Sequence, residues 1–294
     1  MSTATLTPSV PEPVDGPAIT PSTQDGRLSF PRLVRAEWIK FTSLRSTWWS
    51  LGLVAVVSVG LSFLQATAVA SFAAEIGAGM GAATPEAVNN TAVMVIVFAT
   101  VLTQLLAIII GTISVTGEYS TGMIRSTLTA APSRIGALLS KALVVGGTMF
   151  VFSLVVFAVA GLVTAPVLPA GGVDFSDLSS SLMPLLGGAL FLALMAMLGV
   201  GIGFIIRNGP GALSVGIVLL FVAPVLVMFF TGFPDFEWVV ELAAYLPSNA
   251  GQSLFMGSPM SGTLLETWPA LITIVAWPMG ALLAGSAVLM VRDA

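Results

Sequence analysis

The sequence predicts an all-α integral membrane protein of six transmembrane helices with both termini in the cytoplasm. Three observations lead there. Only 8% of the 294 residues are charged and 56% are hydrophobic, whereas an ordinary soluble domain carries roughly 25% charged residues, so the chain cannot cover a water-facing surface. Apolar runs near the roughly 20 residues that a helix needs to cross a hydrocarbon core recur along its length. Finally, all basic residues fall on one side of a six-span arrangement. The short alternating segments of a transmembrane β-barrel are absent.

The spans fall at about 47–67, 92–116, 142–164, 182–206, 211–231 and 268–290. Short loops rich in Lys and Arg stay in the cytoplasm. Arg27, Arg32, Arg35, Lys40 and Arg45 precede the first span, Arg125, Arg134 and Lys141 lie between the second and third, Arg207 separates the fourth and fifth, and Arg292 follows the last. The opposite loops hold Glu75, Glu86, Asp174, Asp177, Asp235, Glu237, Glu241 and Glu266 and no base. One missed span would scramble this segregation, so it supports the count as well as the orientation.

Residues 1–26 are rich in Thr, Ser and Pro and lack the basic start and apolar core of a signal peptide. They read as a disordered cytoplasmic tail. The stretch 31–47 is too charged to cross a membrane, yet Val34, Trp38 and Phe41 share a helical face, which predicts an interfacial helix containing Glu37, Trp38, Lys40 and Arg45. Trp48 and Trp49 then mark headgroup depth where the first span begins. Between spans four and five, Arg207-Asn208-Gly209-Pro210 permits an abrupt reversal, so these spans are expected to be antiparallel neighbours. The outer stretch 232–267 is partly apolar and predicts short or re-entrant helices.

The chemistry is as informative in what it excludes. With no cysteine and no histidine, the chain has no disulfide, thiolate metal site or imidazole base. No Asp, Glu, Lys or Arg falls within the spans as drawn, which argues against a proton-driven carrier. A P-loop needs Gly-Lys before Ser or Thr, but Lys40 and Lys141 follow Ile39 and Ser140. Any ATP-driven work must come from another chain. Gln104 and Thr103 in span two contact substrate or clamp a neighbouring helix, and Phe221 is one of several aromatic residues that either line a path or meet lipid. Gly199 and Gly203 form a GxxxG pair suited to close helix packing.

The segment 117–134, GEYSTGMIRSTLTAAPSR, is longer than a turn requires. Glu118 is expected near a helix start, and Ile124 and Leu128 form an apolar edge beside Arg125 before Pro132 ends the element. This run resembles the signature of ABC-2 type permeases, the membrane-spanning subunits of bacterial ABC exporters of type V-like architecture. Glu118, Tyr119, Gly122, Arg125, Leu128, Pro132, Ser133 and Arg134 match its pattern. Glu37, Lys40, Arg45 and Ser46 before span one, and Tyr245 to Asn249 before the last span, are also similar to this family.

The resemblance covers 27–294 as one six-helix domain. It implies a dimer with a second copy or a paralogous permease, each subunit resting on a cytoplasmic ABC ATPase that binds the ATP and Mg. It further implies a coupling helix at 117–134, with Glu118, Tyr119, Gly122, Arg125, Leu128 and Arg134 facing the ATPase, and a connecting role for 31–47. The expected cargo is a hydrophobic or amphipathic compound: a drug, an antimicrobial peptide or a lipid. No nucleotide, metal or nucleic acid is expected on this chain itself, and a bacterial inner membrane suits it. A secondary carrier or channel is one alternative, and a membrane scaffold or immunity protein another.

Overall fold

The computed structural model describes residues 29–76, 84–130, 133–168, 171–176, 178–256 and 264–291. The expected tail at 1–26, together with Arg27, Pro132 and Arg292, lies outside them. The described residues form helices and connecting turns without a strand. Helix α1 (Phe30–Ser43) is followed by α2 (Arg45–Ile76), α3 (Pro85–Val97), α4 (Thr100–Ser120), α5 (Met123–Ala130), α6 (Arg134–Thr164) and α7 (Leu178–Ile206). Then come α8 (Gly209–Ile217), α9 (Ala223–Met228), α10 (Glu237–Ala243), α11 (Pro247–Phe255) and α12 (Thr267–Val291).

Six helical stretches are long and apolar enough to cross a membrane: α2, α3 with α4, α6, α7, α8 with α9, and α12. Each overlaps one expected span, the fifth ending at Met228 rather than at 231, and two begin earlier than hydropathy suggests. Thr84 caps α3 by accepting the Ala87 N–H at 3.3 Å, with Pro85 in the first turn. Ser133 caps α6 by accepting the Gly136 N–H at 3.1 Å. Both extensions bring ionisable groups into the helices beyond the spans drawn from hydropathy: Glu86 lies in α3 and Arg134 and Lys141 in α6, and Glu118 lies in the last turn of α4.

Two further elements differ from expectation. The segment 31–47 is not a single helix, because Leu44 turns extended (φ −81°, ψ 121°) and Arg45 opens α2. Among the described residues of 232–267 the chain forms the short helices α10 and α11, and α11 is buried against α7 and α12. Asn249 ties it to α10 by donating to the Ala243 carbonyl at 2.8 Å. The reversal at Arg207 takes a left-handed backbone (φ 59°), and α8 packs back on α7 as an antiparallel neighbour should.

Helix α7 is the hub, packed against α4, α6 and α12. Of its apolar window 78% is buried, against 22% for α2, so α7 is enclosed while α2 shows most of its surface outward. Glycine makes that enclosure possible. A Cβ on Gly111 of α4 would overlap the Ala196 carbonyl of α7, and one on Gly199 would overlap the Ile108 carbonyl of α4. Gly203 meets Val115 on the same seam, and Gly201 meets Ala281 of α12. The GxxxG pair therefore serves packing within one chain, and Thr112 donates across the seam to the Gly199 carbonyl at 3.3 Å.

The bundle has two distinct polar ends. At one, Arg134 at the start of α6 donates to the Leu289 carbonyl in the last turn of α12 at 2.7 Å, so α12 ends where α6 begins. At the other, Asn89 of α3 donates to Ser181 of α7 at 2.9 Å and accepts the Asp174 N–H at 2.8 Å. Replacing Gly199 with Val should destabilise the bundle by about 3 kcal/mol through overpacking. Gly147→Ala, at a site with open space around it, should be neutral or gain up to about 1 kcal/mol from helix propensity. Thermal denaturation of the two variants in detergent, beside wild type, checks the contrast.

Candidate functional site: a buried charge cluster

Four charged side chains from three helices meet at the end of the bundle where α6 starts. Glu37 and Lys40 come from α1, one turn apart, with their Nζ to Oε1 distance 2.8 Å. Lys141 of α6 reaches Glu37 Oε2 at 2.6 Å and Glu118 Oε1 of α4 at 2.8 Å. Lys40 closes the ring on Glu118 Oε1 at 3.3 Å. Glu37, Glu118 and Lys141 are buried, and Lys40 is partly so. Two carboxylates and two ammonium groups make the set formally neutral, which is what allows its burial.

The helices place these groups by simple register. Phe41 of α1 is buried beside Glu37, so α1 inserts one mixed face and leaves Trp38 and Ile39 exposed. Trp48 donates its indole N–H to the Thr42 carbonyl at 2.9 Å, which closes the α1 to α2 corner. Glu118 does not sit at a helix start as expected. It lies in the last turn of α4, where the helix dipole is unfavourable to a carboxylate, and the two lysines supply the compensation.

Burial pushes the Glu37 carboxyl upward, but the charge and hydrogen bond of Lys141, with Lys40 behind them, more than offset this and hold it below its ordinary value. For Lys40 burial pushes downward, and the Glu37 hydrogen bond and Glu118 charge hold the ammonium above its ordinary value.

The expected coupling residues separate into different roles. Tyr119 lies in the last turn of α4, edge-on to Phe204 at 6.4 Å between centroids, with the Arg207 guanidinium 5.3 Å from its ring centre. Gly122 takes φ 71° in the turn between α4 and α5, a conformation that favours glycine. Arg125 is exposed on α5. Leu128 is half-buried and Ile124 buried, so the apolar edge of α5 packs back on the bundle. Arg134 and Arg207 cap the α12 carbonyls of Leu289 and Val288, at 2.7 and 3.2 Å.

The residues proposed for a substrate path do not share a surface. Thr103 and Gln104 are buried in the core, where each bonds a carbonyl of its own chain segment, Ala99 at 3.0 Å and Val101 at 2.9 Å. Gln104 therefore does not clamp a neighbouring helix through its amide N–H, and Phe221 is exposed on the flank of the bundle.

Sequence reasoning missed Lys141 as a site residue, because a lysine just ahead of an apolar run reads as a loop charge. The signal that could have found it is helical register. Ser133 as N-cap puts Lys141 two turns inside α6, at the depth of Glu118. Among the described residues no group of three or more acidic side chains converges to hold a metal. Compared with models of known protein families and with curated proteins, the chain matches none.

The cluster sets a pattern of variant effects. Lys141→Met leaves a net buried negative charge and should destabilise by about 3–5 kcal/mol. Adding Glu118→Gln restores neutrality and should recover about half of that loss, measured as thermal stability in detergent. The pH response follows from the two α1 groups. The contribution of Glu37 is present above its ordinary 4.5 and lost as pH falls below it. That of Lys40 is present below its ordinary 10.5 and lost as pH rises above it. Stability of wild type should thus fall at both extremes, and Glu37→Gln should blunt the acid limb.

Proposed function

We propose that this chain is the permease subunit of an ATP-driven ABC-2 type transporter in a bacterial inner membrane. In this reading it exports a hydrophobic or amphipathic compound, a drug, antimicrobial peptide or lipid, using ATP and Mg held by a separate cytoplasmic ATPase. The polar end bearing α1, α5 and the last turn of α12 faces the cytoplasm, and a second copy or a paralogue completes the pore. Sequence resemblance at 117–134 motivates the assignment.

One observation carries it. Lys40 of α1 donates to Thr127 of α5 at 3.0 Å while bonding Glu37 and Glu118, so a push on α5 reaches α1 and α4 through one side chain and α6 through Lys141. Met123 and Arg125 project from α5 as the groups a soluble partner would meet. The coupling surface is thus smaller than 117–134. It is confined to the outer face of α5, and Glu118 and Arg134 act behind it as positioning residues.

Co-expression with a panel of candidate ABC ATPases, followed by purification in detergent, tests the reading. One ATPase should co-purify with wild type and be stimulated by it. Met123→Asp with Arg125→Glu should weaken that association about tenfold or more without lowering thermal stability, since both side chains are exposed. If no ATPase binds and the purified chain alone moves solute into liposomes without nucleotide, a carrier or channel replaces the proposal.

A further inference from the structure

A cavity of about 300 Å³ opens beside the charge cluster, between α1, the start of α2, α4 and α6. Its inner wall is buried and includes Glu118, Lys141 and Val145. Its mouth is framed by the exposed apolar side chains of Leu44, Ile113 and Met123. A site with a polar floor and an apolar rim is suited to an amphiphile that enters head first.

The hydrogen-bond inventory of the floor defines the head. Glu118 Oε1 accepts from both lysines, but Oε2 is buried and has no partner among the described residues. Such an oxygen is a strong acceptor held ready for a donor. The hydroxyls of Ser114, Ser120 and Thr121 also line the cavity, and all three donate their protons to carbonyls of α4, Gly111 at 2.7 Å and Gly117 at 2.9 Å twice. They too offer only lone pairs. Lys141 uses two of its three N–H groups on Glu37 and Glu118, which leaves one donor on the same floor.

The cluster is already neutral, so a ligand that added a charge would unbalance a buried set. The matching group is uncharged, carries an O–H or N–H for Glu118 Oε2, and has an oxygen for Lys141. We propose that this cavity binds the uncharged hydroxyl or amide head of an amphiphile, whose apolar tail leaves past Leu44 and Ile113. The head chemistry is common to a neutral glycerolipid of the membrane and to an uncharged amphipathic solute. The site lies apart from Thr103, Gln104 and Phe221, and its existence does not depend on the transporter assignment.

Three probes with the same length of cis-monounsaturated chain and different heads test this: 1-monooleoylglycerol, oleate and oleylamine, each titrated against the full-length protein in phosphatidylcholine nanodiscs and read by native mass spectrometry. Monooleoylglycerol should bind about tenfold or more tightly than either charged probe, the discrimination expected when a buried acceptor is paired in one complex and not in the other. Ser114→Leu, which fills the cavity without touching the ion pairs, should abolish that preference while leaving thermal stability near wild type. Glu118→Gln should reduce it, with folding checked by gel filtration.

A neutral lipid retained through purification would identify the source as the membrane, and occupancy only by added probe would identify a passing solute. If oleylamine or oleate binds as well as monooleoylglycerol, the uncharged-head assignment is wrong. Binding that Ser114→Leu leaves unchanged, or no binding of any probe, would show that the cavity is not the site.

Discussion

Four ionised side chains cannot leave water one at a time. The penalty is several kcal/mol for each ion even after relaxation, and it is repaid only when the counter-charge is already in place. Glu37, Lys40, Glu118 and Lys141 are therefore buried as a set or not at all, and the set is divided among α1, α4 and α6. That division makes α1 a fixed part of the bundle. A helix that exposes Trp38 and Ile39 on its outer face is held by its buried one through Glu37 and Phe41.

The rest of that end is organised around the same residues. Glu118 must sit at a helix C-terminus for α4 to turn at Gly122 into α5, so its charge is placed against an unfavourable dipole. The next residue, Tyr119, stacks under Arg207, and Arg207 with Arg134 closes the final carbonyls of α12. Lys40, Lys141, Arg134 and Arg207, which a topology argument treats as markers, are thus also structural groups, the lysines satisfying carboxylates and the arginines a helix end.

Through the apolar interior a different constraint operates. Lipid offers no hydrophobic drive between helices, so contact depends on close approach. Gly111 and Gly199 bring the backbones of α4 and α7 together, and Gly201 does the same for α7 and α12. Helix α2 and the α8 with α9 stretch sit at the periphery of the α4 and α7 pair, each with 22% of its apolar window buried. Span five is irregular, with a π turn at Val218–Val222 ahead of Pro224, which cannot donate to the preceding turn.

Composition and residue order were enough to determine the helical class, six apolar segments, the reversal at Arg207 to Pro210 and the gathering of basic residues at one end, because each follows from transfer energies or local geometry acting along a single stretch of chain. Helix limits were less legible. Hydropathy averages over a window, so it discards the opening turns of α3 and α6, which Thr84 and Ser133 cap ahead of Lys141. The cluster itself was hidden for another reason. Glu37 and Lys40 are neighbours in sequence, but the partners of Lys141 lie 23 and 104 residues away, and only the packing of three helices decides that Lys141 faces Glu37 and Glu118. The orphaned Oε2, the cavity beneath it and the inward turn of Ile124 are likewise products of tertiary structure, since burial depends on what covers a side chain and that cover comes from elsewhere in the chain.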